Sequence, residues 1–142
     1  MLTVNTFKCG FKKGIITTKE LSKVIIPVYI IVSLLKETVI IDTISNILAP
    51  MMNLFGLPGE ASIVLVLGNL INTYGAIGAM ASFDLTIKQI TIIAVMISFS
   101  HSLIIESTII KKIGVNPFKV ALMRISLSVS AGVLLNLLYI NG

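Results

Sequence analysis

The chain has 142 residues, 56% of them hydrophobic and only 12% charged, with a mean hydropathy of +1.03. A soluble domain of this size buries only about two thirds of the surface its unfolded chain exposes, so it has no means of hiding so much apolar area, and the same composition excludes a disordered chain. The formal net charge of +5 comes from basic residues flanking apolar segments, without aromatic interleaving, which reads as membrane topology and not as a nucleic-acid surface.

Residues 1–23 mix Phe7, Phe11 and Ile15, spaced i, i+4, i+8, with Lys8, Lys12, Lys13, Lys19 and Lys23. This predicts an amphipathic surface helix on an anionic bilayer, with a solvated, frayed terminus as the alternative. The segment lacks the continuous apolar core of a cleavable signal peptide. Cys9 is the sole cysteine, so no internal disulfide or cysteine metal cluster forms.

Residues 24–142 read as one transmembrane domain. Residues 24–41 form the first apolar segment, with Pro27 expected in its first turn, where it costs little. Lys36 and Glu37 close its far end and are expected to pair with Asp42 or another chain, or to snorkel. Residues 43–56 predict a short interfacial or partly inserted helix that Pro50 breaks or kinks. Residues 61–83 carry no charge, yet Gly68, Asn69, Asn72, Thr73, Gly75 and Gly78 occupy their centre. Such a centre predicts a broken helix or a re-entrant hairpin lining a cavity. Residues 85–110 form the next apolar segment, the turn Gly114–Pro117 ends it, and residues 118–140 form the last. Placing both the N-terminal lysines and the Lys111–Lys112–Lys119–Arg124 group in the cytoplasm requires an even number of crossings between them. Either residues 58–83 enter and leave on one side, or residues 43–56 also cross, with insertion of the chain in both orientations as the third alternative.

Polar groups at membrane depth normally face a cavity or a partner. Asn69 and Asn72, an i, i+3 pair beside Thr73 and Gly68, would present amides to a neutral polar ligand. The competing reading is interhelical hydrogen bonding with small-residue packing. Ser98, Ser102 and Glu106 form an i, i+4, i+8 stripe with His101 alongside, a set suited to cation binding or proton exchange. Glu60, following Pro58-Gly59, caps a helix or touches ligand. Ser128, Gly132 and Asn136 read as a helix-packing face. No phosphate loop, nucleophile elbow, HExxH or Asp-rich metal motif is present, so no catalytic residue, metal or cofactor is expected.

The stretch GLPGEASIVLVLGNLINTYGAIGAM, followed by LTIKQITIIAVMISFSHSLIIESTIIKKIGVNP, resembles the nucleoside-recognition (Gate) domain family. That family includes small spore-maturation membrane proteins, the gate segments of ferrous-iron transporters and part of concentrative nucleoside transporters. The resemblance covers about residues 24–140, through the Gly56, Pro58 and Glu60 helix start, the small-polar break, and the segment ending in Glu and Lys-Ile-Gly. The Gly-Gln-Thr-Glu of the nucleoside transporters is here Gly68-Asn69-Leu70-Ile71-Asn72-Thr73, without the Gln and the Glu. Only Asn69, Asn72 and Glu60 carry over.

The resemblance implies an all-α polytopic membrane protein that is half of an inverted-repeat architecture. The apolar segments and the flanking lysines predict a multi-pass protein of the cell (inner) membrane with a cytoplasmic N-terminus. The resemblance implies a Gate-type transporter half that moves a small polar, nucleoside-like solute as a homodimer or with a related Gate-domain chain. In such a transporter Asn69, Asn72 and Glu60, which carry over, would bind solute together with Thr73 and Gly68 beside them, and the polar stripe of Ser98, His101, Ser102 and Glu106, read from its spacing, would couple ions or protons. A non-transporting scaffold of the spore-maturation kind is the alternative.

Overall fold

The computed structural model describes residues 4–141, which form seven helices and no strand. The first three residues of the expected surface helix lie outside the described part. Helix α1 (Val4–Lys36) runs unbroken through Pro27, which sits in its interior and not in a first turn. At 33 residues it is about 50 Å long, well beyond the ~30 Å hydrocarbon core of a bilayer. Residues 5–20 are all exposed.

At Glu37–Thr38 the chain bends by 87° into α2 (Val39–Asn53). Thr38 is extended, and its hydroxyl donates to the Leu35 carbonyl at 2.6 Å, closing the end of α1. Lys36 pairs with Asp84 at 3.5 Å, not with Asp42. Pro50 does not end α2, which continues to Asn53. Gly56 then turns the chain with φ of +65°, a left-handed conformation that glycine adopts without steric penalty.

Residues 61–83 are broken, as their composition predicts. Helix α3 (Ala61–Leu70) ends, and α4 (Thr73–Met80) begins after Ile71–Asn72. A Cβ on Gly68 would lie 3.1 Å from the Cβ of Ala76, whereas eight residues of continuous helix span about 12 Å. The two helices therefore fold back on each other as a hairpin. With 10 and 8 residues, neither is long enough to cross a bilayer alone.

Helix α5 (Ile87–Ser100) starts in a capping box between Thr86 and Gln89, which satisfies donors a helix start leaves free. It breaks at His101–Ser102, and α6 (Leu103–Lys112) follows. Gly114, with φ of +81°, ends α6. Asn116 accepts from the Phe118 and Lys119 amides, starting α7 (Pro117–Asn141). Residues 87–112 and 117–139 are each long and apolar enough to cross a membrane, and the bent α1–α2 pair makes up to three such spans among the described residues.

The core lies where α2, the hairpin and α5 meet, around Met52, Leu57, Val64, Ile92 and Ile93. Glycines set the closest approaches. A Cβ on Gly132 of α7 would strike Met96 and Phe55, and one on Gly78 of α4 would lie 2.7 Å from the Ile25 carbonyl of α1. The Ser128–Gly132–Asn136 face packs as expected: Ser128 donates to the Met96 carbonyl at 2.8 Å and Asn136 Nδ2 to the Leu54 carbonyl at 3.2 Å.

Gly78→Ala sets a side chain against α1 backbone that has little freedom to move, and should destabilise the fold by about 1–3 kcal/mol. Gly14→Ala, with nothing within 4 Å of the added carbon, should leave stability unchanged or slightly raised. Thermal unfolding of both variants in detergent checks the contrast.

Candidate functional site

Breaking a helix frees backbone groups, and in a membrane each needs a partner within the protein. Besides the bend between α1 and α2, two breaks interrupt the apolar segments further along the chain, and these two meet. In an unbroken α3 the Gly68 carbonyl would accept from Asn72, but Asn72 N–H bonds to Leu67 instead. The freed Gly68 carbonyl accepts from Ser102 N–H at 3.1 Å. Ser102 is itself the pivot of the α5–α6 break, with φ of 51° and ψ of 37°, a left-handed conformation uncommon for a non-glycine residue. One hydrogen bond thus joins the break in the hairpin to the break in the α5–α6 span.

The end of α5 is held by a residue that sequence reasoning missed. Arg124 of α7 donates from Nε to the Phe99 carbonyl at 2.8 Å and from Nη2 to the His101 carbonyl at 3.2 Å. Its Nη1 pairs with Glu106 Oε2 in the first turn of α6. A cation is favourable at a helix C-terminus and an anion at a helix N-terminus, so the pair matches both half-helix ends at once. His101 Nε2 lies 3.3 Å from the other carboxylate oxygen, Oε1. The Arg124 side chain is 14% exposed and that of Glu106 34%. In the sequence Arg124 reads as one of several basic topology residues, and only its position on the apolar stretch of α7 sets it apart.

The expected ligand set divides. Asn69 and Asn72 do not point the same way, because the break falls between them. Asn69 accepts from Ser100 Oγ at 2.7 Å, whereas Asn72 caps α4 by accepting from Gly75 N–H at 2.8 Å. The Asn72 amide oxygen is therefore used locally. Glu60 stands at the start of α3 and makes no capping hydrogen bond. It lies about 13 Å along that helix from Asn69, and it lines neither cavity described below. The Ser98, Ser102 and Glu106 stripe is not continuous, since the left-handed Ser102 redirects the chain between its members.

Members of the two expected sets nevertheless meet in one place. Thr73 at the start of α4, together with Ser98 and His101 of α5, lines a cavity of about 360 Å³ between these helices, floored by Ala76, Ile77 and Ile97. Ser98 Oγ donates to the Ala94 carbonyl of its own helix, which leaves its lone pairs for a ligand. The cavity therefore combines the N-terminal end of one short helix, a hydroxyl pair and an imidazole that contacts a carboxylate.

Replacing Arg124 by Met strands a partly buried carboxylate and two helix-end carbonyls. We expect a loss of about 2–4 kcal/mol. Glu106→Gln should cost less, and the double variant should be less destabilised than the sum of the two. A double-mutant cycle on detergent unfolding midpoints measures the coupling, and additive single effects would show that the pair does not act as a unit.

Comparison with known proteins places this geometry. Residues 18–117 match the family described as Gate, nucleoside recognition. The chain is 43% identical over 136 residues to the uncharacterized membrane protein YvoD of Bacillus subtilis, covering 96% of this chain and 44% of YvoD. It is 38% identical over 80 residues to the inner membrane protein YjiG of Escherichia coli K12, covering 56% of this chain and 52% of YjiG. The chain thus spans about half the length of the relatives it matches. No solved structure matches it. The apolar helices, the broken elements and these relatives agree: the chain is a polytopic helical membrane protein that belongs to the nucleoside-recognition (Gate) family.

Proposed function

We propose that this chain is one half of a Gate-type membrane transporter, which moves a small polar, nucleoside-like solute and is completed by a second copy or a related chain. The observation that carries the reading is the pair of broken helices joined from Gly68 to Ser102. Discontinuous helices meeting in a bundle supply the half-helix ends and open backbone that membrane transport sites use. The solute binds between α4 and α5, against Thr73, Ser98 and His101. His101 and Glu106 serve proton or ion coupling, with Arg124 holding the carboxylate.

One further observation supports a half. The matched segment is 44% of YvoD, so that relative has room for a second unit of this size. In this reading the hairpin leaves the membrane on the side it entered, and the α5–α6 span then returns Lys111 and Lys112 to the side of the N-terminal lysines. That arrangement fits a cytoplasmic N-terminus.

A scaffold without transport is the second reading. It is favoured by Asn72, whose amide oxygen caps α4 within the chain and is not offered to a ligand.

Native mass spectrometry in mild detergent, followed by solute counterflow in proteoliposomes with a labelled nucleoside mixture, separates the two. A homodimer with uptake that Thr73→Val reduces at least tenfold, while assembly persists, is the transporter result. A homodimer without uptake is the scaffold result. A protein that remains monomeric and inactive overturns the self-sufficient half. Co-expression with a second Gate chain then tests the heteromeric form.

A further inference from the structure

A second cavity, of about 250 Å³, lies on a different face of α5 from the proposed solute site, enclosed by α2, α3, α5 and α7. Its walls are apolar, with Met51, Met52, Phe55, Leu65 and Met96 prominent. Methionine side chains adapt to irregular apolar ligands. One end is polar and built from Asn69, Ser100 and Ser128, the two serines being 1% and 4% exposed.

The protons at that end can be accounted for. Ser100 Oγ–H has its shortest contact with Asn69 Oδ1 at 2.7 Å, with the Met96 carbonyl at 3.0 Å and Ser128 Oγ at 3.2 Å as further acceptors, and Ser128 Oγ–H donates to the Met96 carbonyl at 2.8 Å. Each hydroxyl has one proton, so both are committed. Asn69 Nδ2 makes no hydrogen bond to the described residues. A half-buried amide donor at membrane depth carries a penalty until it finds an acceptor, and a hydrocarbon chain offers none.

We infer that this cavity is a binding site for a small molecule with a compact apolar body and a single hydrogen-bond acceptor, which Asn69 Nδ2 engages. The volume is below the range of drug-sized pockets, so the ligand is correspondingly small. The mouth is bordered by the exposed residues Val66 and Val129, so the ligand enters sideways, from the bilayer. The site does not depend on transport and would exist in a scaffold as well.

The test uses two aryl diazirines of the same shape, one bearing an acetyl group and the other an ethyl group, on the full chain in lipid nanodiscs. Adducts are mapped by peptide mass spectrometry to Met52, which is 1% exposed and lines the cavity. One hydrogen bond corresponds to a factor of up to about tenfold. The expected result is saturable labelling of Met52, about tenfold greater with the acetyl probe. Asn69→Leu should bring the two probes to parity, and Val129→Trp, at the mouth, should abolish labelling of Met52 while leaving exposed Leu138 labelled by both. Should Asn69→Leu fail to fold, Val129→Trp still decides. Equal labelling by both probes in the unaltered chain, no labelling of Met52, or labelling that persists in Val129→Trp overturns the inference.

Discussion

Hydrocarbon offers nothing to an unpaired backbone amide or carbonyl, and this constraint governs how the chain can interrupt its helices. Two of its interruptions, at Ile71–Asn72 and at His101–Ser102, each supply what the other lacks. The Gly68 carbonyl released by the first accepts the Ser102 amide released by the second. Asn72 caps the new helix start, and Arg124 takes the carbonyls of Phe99 and His101 at the α5 end. Without these partners, continuous helices would be the lower-energy choice for both segments. The cavity lined by Thr73, Ser98 and His101 follows, because it lies between the two helices whose ends these bonds hold in place.

The charges are arranged by the same logic. Arg124 and Glu106 are opposite charges at opposite kinds of helix end, and His101 shares the carboxylate.

Much of the fold was legible in the sequence. The glycine- and asparagine-rich centre of residues 61–83 signalled its break, since an uncharged segment with that many small and amide residues is a poor plain span. The turn Gly114–Pro117 and the packing face of Ser128, Gly132 and Asn136 were equally plain. The α5–α6 break was not. No glycine or proline marks it, and Ser98, Ser102 and Glu106 keep helical spacing across it. Its cause is tertiary: a carbonyl on α3 and an arginine on α7. Arg124 was hidden because a basic residue near a segment end serves topology equally well. The different roles of Asn69 and Asn72 were partly readable. An Asn immediately before a new helix is a capping signal, and it competes with the i, i+3 pairing that would have placed both amides on one ligand. Pro27 shows the reverse case, in which a long apolar helix carries an interior proline that composition alone assigns to a first turn.

The bond between the two breaks is the most direct point of attack. Solid-state NMR on the protein in lipid, with 15N serine and 13C-carbonyl glycine, measures the Ser102 to Gly68 contact. The Ser62 to Gly59 hydrogen bond acts as an internal reference resolved by chemical shift. The account predicts left-handed backbone shifts at Ser102 and a dipolar contact to the Gly68 carbonyl of the same strength as the reference. Right-handed helical shifts at Ser102 with no contact to Gly68 would mean that α5 and α6 are one continuous helix, and the clasped pair of breaks would not exist.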